Sequence, residues 1–194
     1  MGSGCFFMKK GWISVFLALC VGVFVGNWLN TPEPEPYVPP VQIQEVPATV
    51  STEAQVEVEN YQIGTAMYWG TLVDGQPQGY GKMVFATEDV YEGEFQEGQF
   101  HGQGIFTWAN GDIYSGQFYM GTRHGIGAYH WANGDMYEGE FQEGYLGGYG
   151  VMFYQDGAVY EGQWEQDQRH GQGRFQDAQG NVSQGWWAYG RFQD

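Results

Sequence analysis

Two sets of side chains in this sequence have types and spacing that could do chemistry. Carboxylates recur in pairs at Glu92 with Glu94 and Glu138 with Glu140, and singly at Asp89, Asp112 and Asp135; histidines recur at His101, His124 and His170. A carboxylate pair works as general acid and base only when the two groups sit in different surroundings that push their pKa values apart. Here the pairs return at multiples of 23 residues within closely similar local sequence, so each copy meets the same environment. They read as a solvated polar face, with loose divalent-cation binding as the residual chemistry. The histidines invite a zinc site, but if each repeat is two strands, neighbouring copies lie roughly 10 Å apart. Zinc ligands must all lie about 2 Å from one ion, so a turn-stabilising hydrogen bond is expected instead. His130 stands outside this column. The sequence holds no nucleophile elbow, phosphate loop or Cys-His arrangement. No catalytic residue, cofactor or metal is expected, and the chain reads as non-enzymatic.

The elements that carry these residues follow from a fixed period. Tyr91-Glu92-Gly93-Glu94-Phe95 returns as Tyr114-Ser115-Gly116-Gln117-Phe118, Tyr137-Glu138-Gly139-Glu140-Phe141 and Tyr160-Glu161-Gly162-Gln163-Trp164, each 23 positions on. The period extends to Tyr68-Trp69-Gly70-Thr71-Leu72 upstream and to a degraded Ser183-Gln184-Gly185-Trp186-Trp187 downstream. Self-similarity at this length marks a stacked repeat, in which neighbouring copies complete one another's core. Within a unit the alternation of Tyr91, Gly93 and Phe95 with Glu92 and Glu94 predicts a half-buried strand. Gln103 to Trp108 reads as its partner, after a connection over Gln96 to Gly102. Asn110-Gly111, Asn133-Gly134 and Asp156-Gly157 read as turns closing successive units. The expected fold is all-β, an elongated, twisted meander of stacked β-hairpins.

Two glycine columns recur, one from Gly70 through Gly93, Gly116, Gly139 and Gly162 to Gly185, the other from Gly81 through Gly104, Gly127 and Gly150 to Gly173. Strand glycines weaken a sheet unless something bulky packs over the bare backbone. The expected occupants are the bulky columns Leu72, Phe95, Phe118, Phe141, Trp164, Trp187 and Phe85, Trp108, Trp131, Tyr154, with core packing as their main role.

The pattern Tyr-x-Gly-x-Phe/Trp followed by His-Gly-x-Gly, as in His101-Gly102-Gln103-Gly104, resembles the MORN (membrane occupation and recognition nexus) repeat over about two thirds of the chain. The resemblance implies a β-hairpin array used as a scaffold, a dimerisation module or a lipid-binding module. Departures from the pattern are Gln78 and Gly147 in the His column, Asp167 in a glycine column and Ser183 for the opening Tyr; the last implies a capping unit. The array is expected at 67–194, as five full repeats and one degenerate C-terminal copy.

Ahead of it, Trp12 to Leu29 is apolar apart from Ser14, Asn27 and glycines, follows Lys9-Lys10 and precedes acidic sequence. Eighteen residues reach the lower edge for spanning a bilayer, and no small-x-small cleavage pattern follows. The reading is a signal-anchor at 12–29, with residues 1–11 cytoplasmic and the repeats across the membrane. Met8-Lys9-Lys10 resembles a bacterial membrane-protein start, which places the protein in a bacterial inner membrane with the array in the periplasm. Gly22 and Gly26 are spaced to pack two such helices together as a homodimer. Residues 30–66 read as a disordered linker; six of the seven prolines lie between Pro32 and Pro47, and it carries six glutamates and no Lys or Arg. Prolines and like charges extend such a tether. The two cysteines, Cys5 and Cys20, lie outside the array, so no disulfide framework is expected.

Of the net charge of -16, the array from Tyr68 carries -12. Anionic lipid attracts Lys and Arg and nucleic acid requires basic patches, so nucleic acid is excluded and anionic membrane disfavoured as ligands of the array. Partners read departures from repeat symmetry. The variable column Pro77, Phe100, Arg123, Leu146 and Arg169, with Tyr145 beside it, is expected to form an exposed protein-binding edge at the hairpin tips. Trp186 and Trp187, with Tyr189, form a second candidate surface. The function read from the sequence is a membrane-anchored, non-enzymatic scaffold; the alternative is a lipid or cell-wall glycan module using exposed aromatics.

Overall fold

The computed structural model describes residues 55–193. The expected signal-anchor at 12–29 and most of the expected linker lie outside these residues. Among the described residues no helix is long and apolar enough to cross a membrane.

Thirteen strands form one antiparallel sheet in strictly sequential order: β1 (Gln55–Ile63), β2 (Ala66–Val73), β3 (Gln76–Val84), β4 (Val90–Gln96), β5 (Gln99–Thr107), β6 (Ile113–Tyr119), β7 (Thr122–His130), β8 (Met136–Gln142), β9 (Tyr145–Phe153), β10 (Val159–Glu165), β11 (Gln168–Gln176), β12 (Val182–Ala188) and β13 (Arg191–Phe192). The all-β hairpin meander is therefore as expected. Period-two patterning decides the faces: in β4, Tyr91, Gly93 and Phe95 are buried and Glu94 and Gln96 exposed.

Two boundaries differ from expectation. The linker ends earlier, because Gln55–Ile63 is a strand paired with β2. Val58 and Ile63 pack against the core, covering an edge that β2 would otherwise leave open. The connection over Gln96 to Gly102 is also mostly strand. The turn itself is only Glu97-Gly98, both at positive φ (50° and 76°), the two-residue geometry whose twist suits a hairpin. Gly102, at φ +55°, makes a bulge where the register shifts beyond Gly93.

The two glycine columns are one row in space. Cross-strand partners run Gly70–Gly81–Gly93–Gly104–Gly116–Gly127–Gly139–Gly150–Gly162–Gly173–Gly185 across the sheet. What fills this trough is not the Phe/Trp column but the opening tyrosine of each repeat. Tyr68, Tyr91, Tyr114, Tyr137 and Tyr160 are wholly buried, and their rings lie where glycine side chains would project. Each hydroxyl donates to the carbonyl three residues on, at 2.7 to 3.0 Å. The Phe/Trp column then packs edge-on between successive tyrosines, as Tyr91–Phe118 at 5.1 Å and Tyr137–Trp164 at 5.4 Å. Such pairs contribute about 0.5 to 1.5 kcal/mol each beyond area burial, and they form the core of the sheet. In the last copy Ser183 stands where the opening tyrosine would be. Phe192 of β13 instead covers Gly185, its ring 3.2 Å from where a Cβ would stand, and packs against Trp187 at 5.3 Å.

Candidate protein interaction surface

The residues that first suggested chemistry are used by the fold. Glu94, Gln117, Glu140 and Gln163 occupy one column, and each side chain accepts the backbone N–H of the bulge nine residues on, at 2.7 to 3.0 Å. Asp89, Asp112 and Asp135 each accept a backbone N–H from the next repeat, of Ala109, Ala132 and Gln155, all at 2.8 Å. The aspartates are therefore hydrogen-bonded joints between repeats, and Glu94 and Glu140 close a bulge within their own repeat, rather than forming a merely solvated face. The Ala132 N–H and then the Tyr129 hydroxyl hold the Asp112 carboxyl below the usual range. The Tyr129 hydroxyl, raised to about 12 by burial and then by that same hydrogen bond, stays neutral.

The expected hydrogen bond of the His column is absent at His101 and His124. Their rings flank Tyr119 instead, with centroids 5.4 and 5.9 Å away. His170 places Nδ1 3.3 Å from a Glu165 carboxylate oxygen. Among the described residues no three His, Cys, Asp or Glu side chains converge on a common point.

The variable column expected as an exposed edge lies on the core side, which is a correction. The two-residue turns put Pro77, Phe100, Arg123, Leu146 and Arg169 inside strands, where period two aims their side chains at the aromatic face. Their carbonyls accept the turn N–H of the next hairpin, from Gly98, Gly121, Gly144, Asp167 and Gly190, at 2.9 to 3.1 Å. Phe100 stacks on Tyr91 with centroids 3.8 Å apart, and Leu146 is 6% exposed. The Arg123 guanidinium lies 5.0 Å from the Tyr129 ring and within 6 Å of Trp108, Tyr114 and Phe141, and it donates to the Gly144 carbonyl. Arg169 repeats this against Trp187 (4.4 Å), Phe175 and Tyr160, donating to the Gly190 carbonyl at 3.0 Å. Trp187 is buried too, with its indole N–H on the Gly173 carbonyl at 3.2 Å. These five core-side residues join successive repeats.

Of the residues singled out from sequence, Tyr145, Trp186 and Tyr189 remain exposed, at 50%, 61% and 82%. The structure adds Tyr119 and Met120 at the tip between β6 and β7, and Tyr80, Ile126 and Tyr149 on the polar face. The signal for Met120 was present in the sequence: its column otherwise holds Asp74, Glu97, Glu143, Gln166 and Tyr189. Its neighbour Tyr119 shares a column with Val73, Gln96, Gln142, Glu165 and Ala188. Large apolar side chains set among exposed Glu and Gln are the composition of a protein contact patch.

A family model described as MORN repeat matches residues 68–90, 91–113, 114–136, 137–159 and 160–182. Among solved structures, the chain is similar to the TCP domain of SAS-4 (dCPAP) of Drosophila melanogaster, solved in complex with a proline-rich motif of Ana2 (dSTIL). Identity is 11%, coverage 77% of this chain and 84% of that one, and the TM-score 0.38. No curated protein sequence matches the chain.

Proposed function

The chain belongs to the MORN repeat family, and from that premise we propose that it is a non-enzymatic scaffold whose hairpin array binds a protein partner beyond a membrane. One observation carries the reading. Asp89, Asp112 and Asp135 are engaged in holding repeat to repeat and Glu94 in closing a bulge within its own, while Tyr119, Met120, Tyr145 and Trp186 are exposed where the repeats depart from their own pattern. An acidic array, at -12 from Tyr68 on, is repelled by anionic lipid, which favours a protein over a lipid surface. In this reading Trp12 to Leu29 anchors the chain in a bacterial inner membrane and the acidic, proline-rich segment holds the array in the periplasm.

The test is affinity capture from native membranes with the full chain, beside a variant carrying Tyr119→Ser, Met120→Ser and Tyr145→Ser. These side chains are exposed, so the variant should keep the parent Tm. The proposal expects a protein enriched by the parent and lost from the variant. Enrichment of lipid or glycan alone, with no protein above background, would retire it.

A further inference from the structure

Departures from the repeat pattern meet at one place on the polar face between β8 and β12. Gly147 stands where other repeats carry His101, His124 and His170. Its backbone is not in the left-handed region, so the chain conformation does not demand glycine; a Cβ there would meet Gln142 Cβ at 3.2 Å, a close contact to which Gln142 must yield, and the imidazole of the other repeats is missing. Tyr145 stands in a column otherwise made of Gln76, Gln99, Thr122, Gln168 and Arg191, and Trp186 in one made of Thr71, Glu94, Gln117, Glu140 and Gln163. The missing imidazole and these two rings line a depression of about 640 Å³, with Glu143, Glu165 and His170 on its walls. A further departure stiffens one wall. Asp167, in a turn otherwise closed by glycine, accepts the Leu146 N–H at 2.7 Å and donates its own N–H to the Leu146 carbonyl at 3.1 Å.

We propose that this depression receives an arginine or lysine side chain presented by a basic segment of the partner, an inference that rests on the protein-scaffold reading above. No Lys or Arg lines it. Ring faces attract a cation within about 6 Å, and carboxylates form charge-assisted hydrogen bonds with it. The -12 charge of the array steers a basic segment toward it. The same chemistry is already used inside the molecule, where Arg123 and Arg169 sit among rings on the opposite face. At the depression the exposed rings and Glu143 are in place, Glu165 already faces His170 at 3.3 Å, and a guanidinium or ammonium group must come from outside.

The experiment is fluorescence anisotropy of a dye-labelled Gly-Arg-Gly-Arg-Gly peptide on the full chain in detergent, against Gly147→His and Trp186→Ala. The first restores the residue of the other repeats and the second removes an exposed ring, so near-ultraviolet circular dichroism should show both folded. The expected result is saturable binding weakened about tenfold or more in each variant, reduced by salt and absent for the Gly-Gln-Gly-Gln-Gly peptide. Binding equal in parent and Gly147→His would reveal diffuse attraction to an acidic protein and overturn the site. Loss of peptide binding in favour of a neutral chitin oligosaccharide would overturn it as well. Protein capture that persists in Gly147→His, with no peptide binding by the parent, sinks this site and leaves the scaffold standing; absence of any captured protein sinks the scaffold itself.

Discussion

Tyr91 and Gly104 occupy one space on adjoining strands: a Cβ on the glycine would lie 2.5 Å from the tyrosine hydroxyl oxygen and 2.7 Å from two ring carbons. Real Cβ atoms do not approach so closely, so each residue type is required by the other. Gly104→Ala should cost about 1 to 3 kcal/mol, the ordinary range for overpacking. Tyr91→Phe should cost about 1 kcal/mol by removing the 2.7 Å hydrogen bond to the Glu94 carbonyl. Because the phenylalanine also removes the nearest clashing atom, the double variant should be less destabilised than the two single changes added together. Additivity in denaturant titrations would show that the glycine serves something other than the tyrosine.

Glu94 closes the bulge by accepting the Gln103 N–H at 2.9 Å. Gln117 and Gln163 do the same in other repeats, so acceptor geometry and not charge is what the site uses. Glu94→Gln should leave stability within about 0.5 kcal/mol. Glu94→Ala strands a backbone donor and should cost about 1 to 3 kcal/mol, read from chemical denaturation.

Arg123 shares its place with Leu146 one repeat later, and both are inward. Arg123→Leu keeps an apolar stem among the rings and should be milder than Arg123→Glu, which sets a carboxylate against their negative faces. Thermal unfolding should rank parent, leucine, glutamate. A glutamate variant as stable as the parent would mean the guanidinium stands free of the rings.

The buried tyrosines predict an alkaline limit. Burial raises Tyr91, Tyr114, Tyr137 and Tyr160 above their ordinary value, Tyr160 to about 12. A raised folded-state pKa contributes stability that is fully present below the unfolded value near 10 and lost as pH rises through the folded one. Unfolding should therefore set in between about pH 10 and 12, with tyrosinate absorbance appearing together with loss of strand circular dichroism. Ionisation well before unfolding would show the rings to be open to water.

Asp89 and Asp112 carry the opposite sign. Their carboxyls are held low, Asp89 by the Thr87 hydroxyl and then the Ala109 N–H, Asp112 by the Ala132 N–H and then the Tyr129 hydroxyl. That stability is present above the unfolded carboxyl value of about 3.9 and lost as pH falls through the folded one. Asp112→Ala should lower Tm at neutral pH and flatten its decline below about pH 4.

Much of this fold was legible because a repeat states its constraints several times. The Tyr-x-Gly-x-Phe alternation fixed strands and faces, and the recurring glycines announced that something had to cover bare backbone. What covered them was misassigned, because column order along the chain does not say which ring reaches across to the next strand. The partner-binding residues were less legible. Leu146 and the arginines vary as surface residues do, yet they lie inward because a two-residue turn puts them in strands and leaves no loop.

The sequence by itself determined the repeat, the hairpins, the sheet order and the acidic field, since period, patterning and charge are local or additive properties. Only the tertiary structure decided that the tyrosines fill one continuous glycine trough, that Glu94 and Glu140 close bulges within their repeats while the aspartates join neighbouring ones, and that Gly147, Tyr145 and Trp186 line one depression. Those facts depend on register. The bulge at each His-Gly step, and at Gly147-Gly148, shifts the strand pairing locally, and a shift of one residue changes which side chains share a face and which are buried.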